Sequence, residues 1–459
     1  MTPAALADLV RSTAHEVLAT RGLDPAVLPA AVTVERPRNP DHGDYATNLS
    51  LQIAGELGVS SRDLADWLAA ALVETADIDA ADVAGPGFIN LRLNAAGQGE
   101  IARAVLAAGP AYGHGESLRG KRIALEFAPI DPIGPLPVAQ TRWAAVGDSL
   151  GRVLASQGAA VVRECRVEAT GPRMDRFADS LIAAALGQPT PEDGYTGGYV
   201  TDLAAEVLRA EPSALSLGDD RAETFRRIGG GLMLEEIARS LRVFGVELSL
   251  ADTDAAPADE RIAVRGGEVT LLAESRPLRM GRRTGATVTI EDLIEAVGPE
   301  AGRYALVRSA VDGELEVDLG LWGTSGEDSP AYLVRYAHAR ACAVLRNAGE
   351  LDIRSDVDNA DLALLSHERE GAVLRTLGEF PRVQATAAEL REPYRVARYL
   401  EELTAAFRSL QELTELRVLP QGDEEAGEVH IARAVLYAAV RQVLASGLDL
   451  LGVDAPEQL

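Results

Sequence analysis

The sequence predicts a multidomain protein of α/β plus α class: an N-terminal α+β module, a central α/β domain with parallel strands, and a C-terminal all-α bundle. Three observations carry this reading. Helical and extended signals alternate through the first hundred residues; a strand, a Pro/Gly loop, a helix and a second strand follow one another after residue 120; and beyond Pro330 nearly every segment is amphipathic helix. A chain of 459 residues with 47% apolar side chains can bury several cores, and roughly 150 residues per domain gives about three. The expected boundaries are 1–108, 116–325 and 328–459.

In the first module, Leu6, Val10, Ala14 and Val17 recur at helical spacing. Pro37-Arg38-Asn39-Pro40 and Asp41-His42-Gly43-Asp44 form a turn-rich loop, followed by a helix with Leu49, Ile53 and Leu57 on its apolar face. Ser60 or Ser61 caps a helix over residues 62–75. Gly85-Pro86-Gly87 then turns the chain into the strand Phe88-Ile89-Asn90-Leu91-Arg92-Leu93, where the period of two places Phe88 and Asn90 on one face. Residues 107–120, with Gly109-Pro110, Gly113 and Gly115, read as a linker.

The central domain opens with a strand at 122–127, a loop at 129–137, a helix at 141–156 and a strand beginning at 159–162, which is a βαβ unit. Residues 174–246 are mainly helical, and 261–272 suggest a hairpin turning at Gly266-Gly267. Thr289 and Asp292 fit a capping box before a short helix that Gly298 stops. In the last helix Val435, Leu436, Val440, Val443, Leu444 and Leu448 lie largely on one side, as in a bundle.

The formal charge is −26 and Lys121 is the single lysine, so any RNA contact needs a local arginine-lined surface. Acidity of this kind otherwise serves solubility. Cys165 and Cys342 stand apart, without a Cys-x-x-Cys pair or a histidine cluster, which supports neither a disulfide framework nor a metal site. The start of the chain carries acids and an early histidine instead of a basic and then apolar leader, and no uninterrupted apolar stretch is long enough to span a bilayer. The expectation is a cytoplasmic protein without a membrane partner.

Pro135-Leu136-Pro137-Val138-Ala139-Gln140-Thr141-Arg142, flanked by Glu126-Phe127 and Ala145-Val146-Gly147-Asp148, resembles the first nucleotide-binding signature of arginyl-tRNA synthetases. Val34-Glu35-Arg36-Pro37, Gly43-Asp44-Tyr45-Ala46-Thr47-Asn48 and Gly85-Pro86-Gly87-Phe88-Ile89-Asn90-Leu91 resemble that family's additional N-terminal domain. Tyr332-Leu333-Val334-Arg335-Tyr336-Ala337-His338-Ala339-Arg340 and the ending Gly447-Leu448-Asp449-Leu450-Leu451-Gly452 resemble its helical, DALR-type anticodon-binding domain. The resemblance implies a Rossmann-like class I catalytic domain, here truncated, between those two. It also implies a chemistry in which ATP and arginine form an adenylate and the arginyl group passes to tRNA.

The sequence departs from the family where that chemistry sits. The signature's two histidines, whose N–H groups stabilise phosphate charge, are Pro137 and Gln140, and the glycine between them is Ala139. Proline donates nothing, a neutral amide replaces an imidazole, and a methyl group obstructs close approach of a nucleotide. One such donor is worth about 3 kcal/mol in comparable sites. The cationic second signature corresponds to Arg279-Met280-Gly281-Arg282-Arg283, with Arg279 and Arg282 where the family has lysines; a solvated basic turn is the plain alternative. Of the Glu, Ser and Asn that hold the amino acid in the family, the positions here are Glu126, Pro129 and Asp131, so only Glu126 is kept as a substrate contact. Glu168-Ala169-Thr170-Gly171 replaces Asn-Asp-Ala-Gly, and between Val246 and Arg279 only a short hairpin is expected where the family has half a nucleotide-binding domain.

For RNA, the resemblance implies that Phe88 and Asn90 read an unstacked base, and that Tyr332, Arg335, Tyr336 and Arg340 belong to an RNA-facing helix, with Arg398 and Arg408 on later helices. The alternatives are core packing for Phe88 and the tyrosine pair. Phe407-Arg408-Ser409-Leu410-Gln411 departs from the aromatic-rich pattern usual there, and Arg433 and Arg441 read as solvated. The function expected is therefore that of a non-catalytic arginyl-tRNA synthetase paralogue, a pseudoenzyme. It needs no cofactor, and its partner is arginine tRNA or a mimic, with a genuine synthetase or another protein as a further partner. The alternatives are an active arginine–tRNA ligase using ATP, and a protein-interaction scaffold.

Overall fold

The computed structural model describes residues 1–37, 39, 42–250, 257–278, 287–323 and 328–459. The N-terminal part runs α1 (Pro3–Thr20), β1 (Val34–Glu35), β2 (Tyr45–Thr47), α2 (Leu49–Leu57), α3 (Ser61–Val73), β3 (Ile78–Ala84) and β4 (Phe88–Leu93). Its antiparallel sheet has the order β1-β2-β4-β3. The inner face, with Tyr45, Ile89, Leu91 and Leu93, packs with Leu6, Val10, Leu64 and Leu68 in one core. Ser60 caps α3 by accepting from the Asp63 N–H. Gly43 is required at φ +93°, where a Cβ would stand 2.7 Å from the Leu91 carbonyl.

From this module α4 (Ala95–Ala108) leads into the rest of the protein. The expected linker at 107–120 is instead a packed connection. Tyr112 is buried and donates to Leu377 O at 3.2 Å, while Gln384 donates to Tyr112 O at 3.1 Å and Gln157 to Gly113 O at 3.2 Å. Its glycines serve close approach, since a Cβ at Gly113 or Gly115 would collide with Gln384 or Gln157.

The central part contains β5 (Arg122–Ile130), α5 (Val138–Ser156), β6 (Ala160–Val167), α6 (Pro172–Ala185), α7 (Gly198–Ala210), α8 (Arg221–Val243), β7 (Ser249–Leu250) and β8 (Glu260–Ala263). The parallel sheet has the order β7-β6-β5-β8. Ile123, Leu125 and Phe127 are buried on the α5 side. On the other face Ala128, Ala160 and Arg166 are exposed and Glu126 and Glu164 half-buried. A parallel sheet normally has both faces covered; here the described residues bury Ala124 on this face and leave the rest of it half dressed.

β9 (Val269–Ala273), β10 (Arg276–Pro277), α9 (Ile290–Val297), α10 (Pro299–Val307), β11 (Leu315–Asp318) and α11 (Leu319–Gly323) follow. The hairpin expected at 261–272 is not there. β8 joins β5 in parallel, with Ile123 opposite Glu260 and Glu126 opposite Ala263, whereas β9 pairs in parallel with β11 in a separate sheet of order β10-β9-β11. The glycines that suggested a turn are explained by crowding, because a Cβ at Gly266 would stand 2.6 Å from the Trp143 nitrogen. The real hairpin joins β9 to β10 at Glu274 and Ser275, both at positive φ. The stretch after Val246 therefore adds two strands, β7 and β8, to opposite edges of the parallel sheet, and residues 251–259 alone separate them in sequence. The capping box of Thr289 and Asp292 forms at α9, and Gly298 ends that helix.

The C-terminal bundle comprises α12 (Pro330–Glu350), α13 (Glu368–Gly378), α14 (Phe380–Leu390), α15 (Tyr394–Gln411) and α16 (Glu428–Leu451). α16 is long and apolar enough to cross a membrane by composition, and it is largely buried among the other helices.

The parts lock together through buried charge. Arg303, on α10, is almost fully buried and pairs with Asp148 of α5. It also donates to Leu451 O at 2.5 Å, Phe244 O at 3.0 Å and Gly245 O at 2.7 Å. Arg152 and Arg163 reach the same carboxylate at 2.9 and 3.1 Å. Burial pushes the Asp148 carboxyl up, but Arg303, Arg152 and Arg163 outweigh it and hold it below the usual carboxylate range. Gly452, at φ +66°, leaves the Arg303 guanidinium the space a Cβ would fill. The N-terminal module docks in a similar way, through Asp44 and Arg375 at 2.9 Å.

Replacing Arg303 by Met leaves its carbonyl partners without their donor and Asp148 without its closest cation. The expected loss is about 3–5 kcal/mol, read as a shift in the urea unfolding midpoint, and Gly452→Ala should destabilise through the same contact.

Candidate functional site

β5, α5 and the starts of α6 and α7 enclose a cleft of about 290 Å³ at the carboxyl end of the first parallel strand. This is where open α/β sheets place ligands. Pro137 is the residue before the first turn of α5 and is fixed by a bridge to Thr289. Val138 N–H donates to Val288 O at 3.0 Å and Ile290 N–H to Leu136 O at 2.9 Å. Pro137 and Gln140 line the cleft and Ala139 is exposed beside it.

The only charged residues among the described lining are Asp131 and Arg173, and they are ion-paired with each other. Tyr199 donates to Ile133 O at 3.1 Å, and burial pushes its phenol up to about 12. It therefore stays protonated. Nothing described at the cleft wall combines a free charge with the means to accept or deliver a proton near neutral pH. Burial also pushes the Cys165 thiol on β6 up to about 12, so it is no nucleophile.

Glu126 lies on the half-dressed face of the sheet. Its carboxylate accepts from Arg261 of β8 at 2.8 Å, and the same nitrogen reaches Glu164 at 2.9 Å. Arg142, inside the signature, is fully buried and donates to Glu268 O and Gly313 O at 3.2 Å and to Ala310 O at 2.9 Å. It ties α5 to the segments around β9 and β11. Arg279 and Arg282 lie outside the described residues.

Two aromatic faces lie elsewhere. Phe88, 42% exposed, and the half-buried Asn90 stand on the outer face of the N-terminal sheet. The turn before them is pinned from below: Ser50 donates to Gly87 O, Ser61 to Pro86 O at 2.6 Å and Arg62 to Gly85 O at 3.0 Å. On α12, Tyr332 and Tyr336 stack with centroids 5.7 Å apart and an interplanar angle of 19°, and Tyr336 is 42% exposed. Arg340 is exposed nearby, while Arg335 donates to Asp454 O at 3.2 Å. Phe407 packs edge-on against Tyr437 in the core. Arg433 is not solvated as expected: it reaches Glu370 at 2.9 Å, Glu415 O at 2.9 Å and Arg417 O at 3.2 Å. It is half-buried, and a carboxylate of α13 and two carbonyls of the segment before α16 satisfy it there. Arg398 and Arg441 are exposed.

A model of the arginyl tRNA synthetase N terminal domain matches residues 4–93, and one of the DALR anticodon binding domain matches residues 334–459. The chain belongs to the arginyl-tRNA synthetase family. Among solved structures, the fold is similar to that of a putative arginyl-tRNA synthetase from Campylobacter jejuni, with a TM-score of 0.68 and 18% identity over 80% of this chain and 100% of that one. It is similar to the Thermus thermophilus arginyl-tRNA synthetase, with a TM-score of 0.67 and 18% identity over 99% and 100% of the two chains. The Plasmodium falciparum arginyl-tRNA synthetase gives 0.64 and 12% over 100% of both. The architecture of this synthetase relative is thus that of the family: N-terminal domain, Rossmann-like parallel core and DALR bundle.

Sequence reasoning missed Arg303, whose signal was an arginine inside the otherwise small and apolar stretch Ala301 to Val307. The contrast between faces and core is measurable. Phe88→Ala and Tyr336→Ala should leave stability within roughly 1 kcal/mol of wild type, whereas Phe407→Ala should cost about 3–5 kcal/mol, all by chemical denaturation.

Proposed function

We propose that this protein is a non-catalytic arginyl-tRNA synthetase relative that binds arginine tRNA or a tRNA-like RNA and uses no ATP. The observation that carries this reading is the wall of the cleft. At the start of α5 it offers Pro137 and Gln140, with Ala139 exposed beside them, and its only described charges, Asp131 and Arg173, are spent on each other. A phosphate in flight would meet a neutral amide and a methyl group where stabilising donors are needed. The Glu126 carboxylate, the retained counterpart of a family amino-acid contact, is already engaged by Arg261.

RNA binding is supported by the family's domains at both ends of the chain and by the exposure of Phe88 and Tyr336 on separate faces. Stacking on such rings tolerates an acidic protein better than a broad phosphate contact does, because it needs few cations. One observation favours the alternative of an active ligase. The first turn of α5 carries no side-chain cap and no acid, so its N–H groups retain some affinity for an anion. On that reading ATP is a cosubstrate and a partner chain completes the site.

ATP–pyrophosphate exchange with arginine and arginine tRNA present decides between them. No exchange is expected from the wild type or from the Pro137→His/Gln140→His double variant; exchange at a synthetase-like rate from the wild type sinks the non-catalytic reading. In a filter-binding titration with arginine tRNA at low salt, saturable binding is expected, weakened several-fold or more by Phe88→Ala and by Tyr336→Ala. Absence of any binding would leave a protein-interaction scaffold.

A further inference from the structure

We propose that the segment after α16, residues 453–457, is an autoinhibitory strap: it covers an arginine surface of α12 and α16 suited to RNA phosphates, and RNA must displace it to bind there. This rests on the RNA-binding reading above. The periodicity of α12 lays out the surface. Arg335, His338, Cys342 and Arg346 recur at helical spacing and form one stripe, beside the stacked Tyr332 and Tyr336. Arg441 of α16 is close enough for its charge to act on both His338 and Cys342. In a chain of formal charge −26, the guanidinium groups of Arg335, Arg346 and Arg441 supply the local cationic surface that phosphate contact needs.

The strap lies on this stripe as a short acidic stand-in. α16 ends in a left-handed turn at Gly452, and Val453 tucks into the core. Beyond it Arg335 Nε donates to Asp454 O at 3.2 Å, His338 Nδ1 lies 2.9 Å from Pro456 O, and Arg346 reaches the Glu457 carboxylate at 3.8 Å. A carbonyl only accepts, so His338 carries a proton on Nδ1. Burial, helped by Arg441, holds the imidazole below the ordinary histidine range against the pull of Pro456 O, Glu457 and Asp454, so near neutral pH it is an uncharged latch. Asp454 and Glu457 thus bring two carboxylates to a surface whose own charges are positive.

The ties are of a kind that can be exchanged. Arg346 and Glu457 are 44% and 79% exposed, and ion pairs so placed contribute little against water and salt. Two hydrogen bonds to strap carbonyls hold the rest, and water or a phosphate oxygen replaces each when it breaks. Within the strap only Val453 is deeply buried, so the segment beyond it can lift without opening the core. A phosphate backbone offers the same arginines more negative charge than the strap does. While the strap is shut, however, it is a tethered competitor, and it weakens the apparent affinity in proportion to the fraction of molecules it closes.

The test is filter binding of arginine tRNA, over a range of salt, to the full chain and to a chain shortened to end at Val453. Removal of residues 454–459 should tighten binding roughly fivefold or more, with a logarithmic salt slope steeper by about two. Adding Arg346→Ala/Arg441→Ala to the shortened chain should erase that gain. Asp454→Asn/Glu457→Gln in the full chain keeps the strap's backbone bonds and should give part of the gain at an unchanged thermal midpoint; it decides the matter if the shortened chain is destabilised. Affinity that is unchanged or lower in both the shortened chain and the charge variant overturns the strap and leaves RNA binding intact. A gain that survives Arg346→Ala/Arg441→Ala overturns the assignment of the surface. Failure of every one of these chains to bind arginine tRNA overturns the strap together with the RNA-binding reading.

Discussion

The buried ion pair of Arg303 and Asp148 is the constraint around which the rest of the molecule is arranged. A guanidinium out of water must find acceptors for its donors, and here they come from three directions: α5, the end of α8 and the end of α16. The parallel core and the helical bundle are thereby fixed in one relative position. Gly447 against Leu400 and Gly452 against Arg303 show that small residues at the end of α16 are packing requirements. Asp449 adds a bond to Arg152 at 3.1 Å on the rim of the same junction.

This explains how the signature region keeps its shape with Pro137, Ala139 and Gln140 at the cleft. Within it, Arg142 holds three carbonyls, Gly147 makes room for the Phe127 ring, and Asp148 anchors Arg303. Those positions answer to the fold. Pro137, Ala139 and Gln140 border the cleft, and substitutions there leave the packing alone. Proline at position 137 suits the extended backbone before a helix, where its missing N–H is no loss.

Much of this was legible in the sequence. Local signals such as the Ser60 cap, the Thr289 and Asp292 box, the βαβ unit and the strand carrying Phe88 depend on neighbours a few residues away. What failed was long-range. Gly266-Gly267 looks like a turn because glycine permits turns, yet its role is to pass against the Trp143 backbone, and β8 finds its partner 137 residues earlier, as in the bond between Asp259 and Arg122. The same holds for Gly113 and Gly115, where glycine signals proximity and not looseness. Arg303 and Arg433 were hidden because a buried arginine is recognised only once its carbonyl partners are placed.

The contact between Arg261 and the pair Glu126 and Glu164 has one more implication. A guanidinium attached to β8 is a ligand at fixed, high effective concentration, held beside its carboxylates by the sheet itself. Free arginine approaching Glu126 would compete with a tethered copy of its own head group, and would regain no desolvation advantage for doing so. The chain thus carries a built-in analogue of that head group, and free arginine would reach the carboxylate only by displacing it.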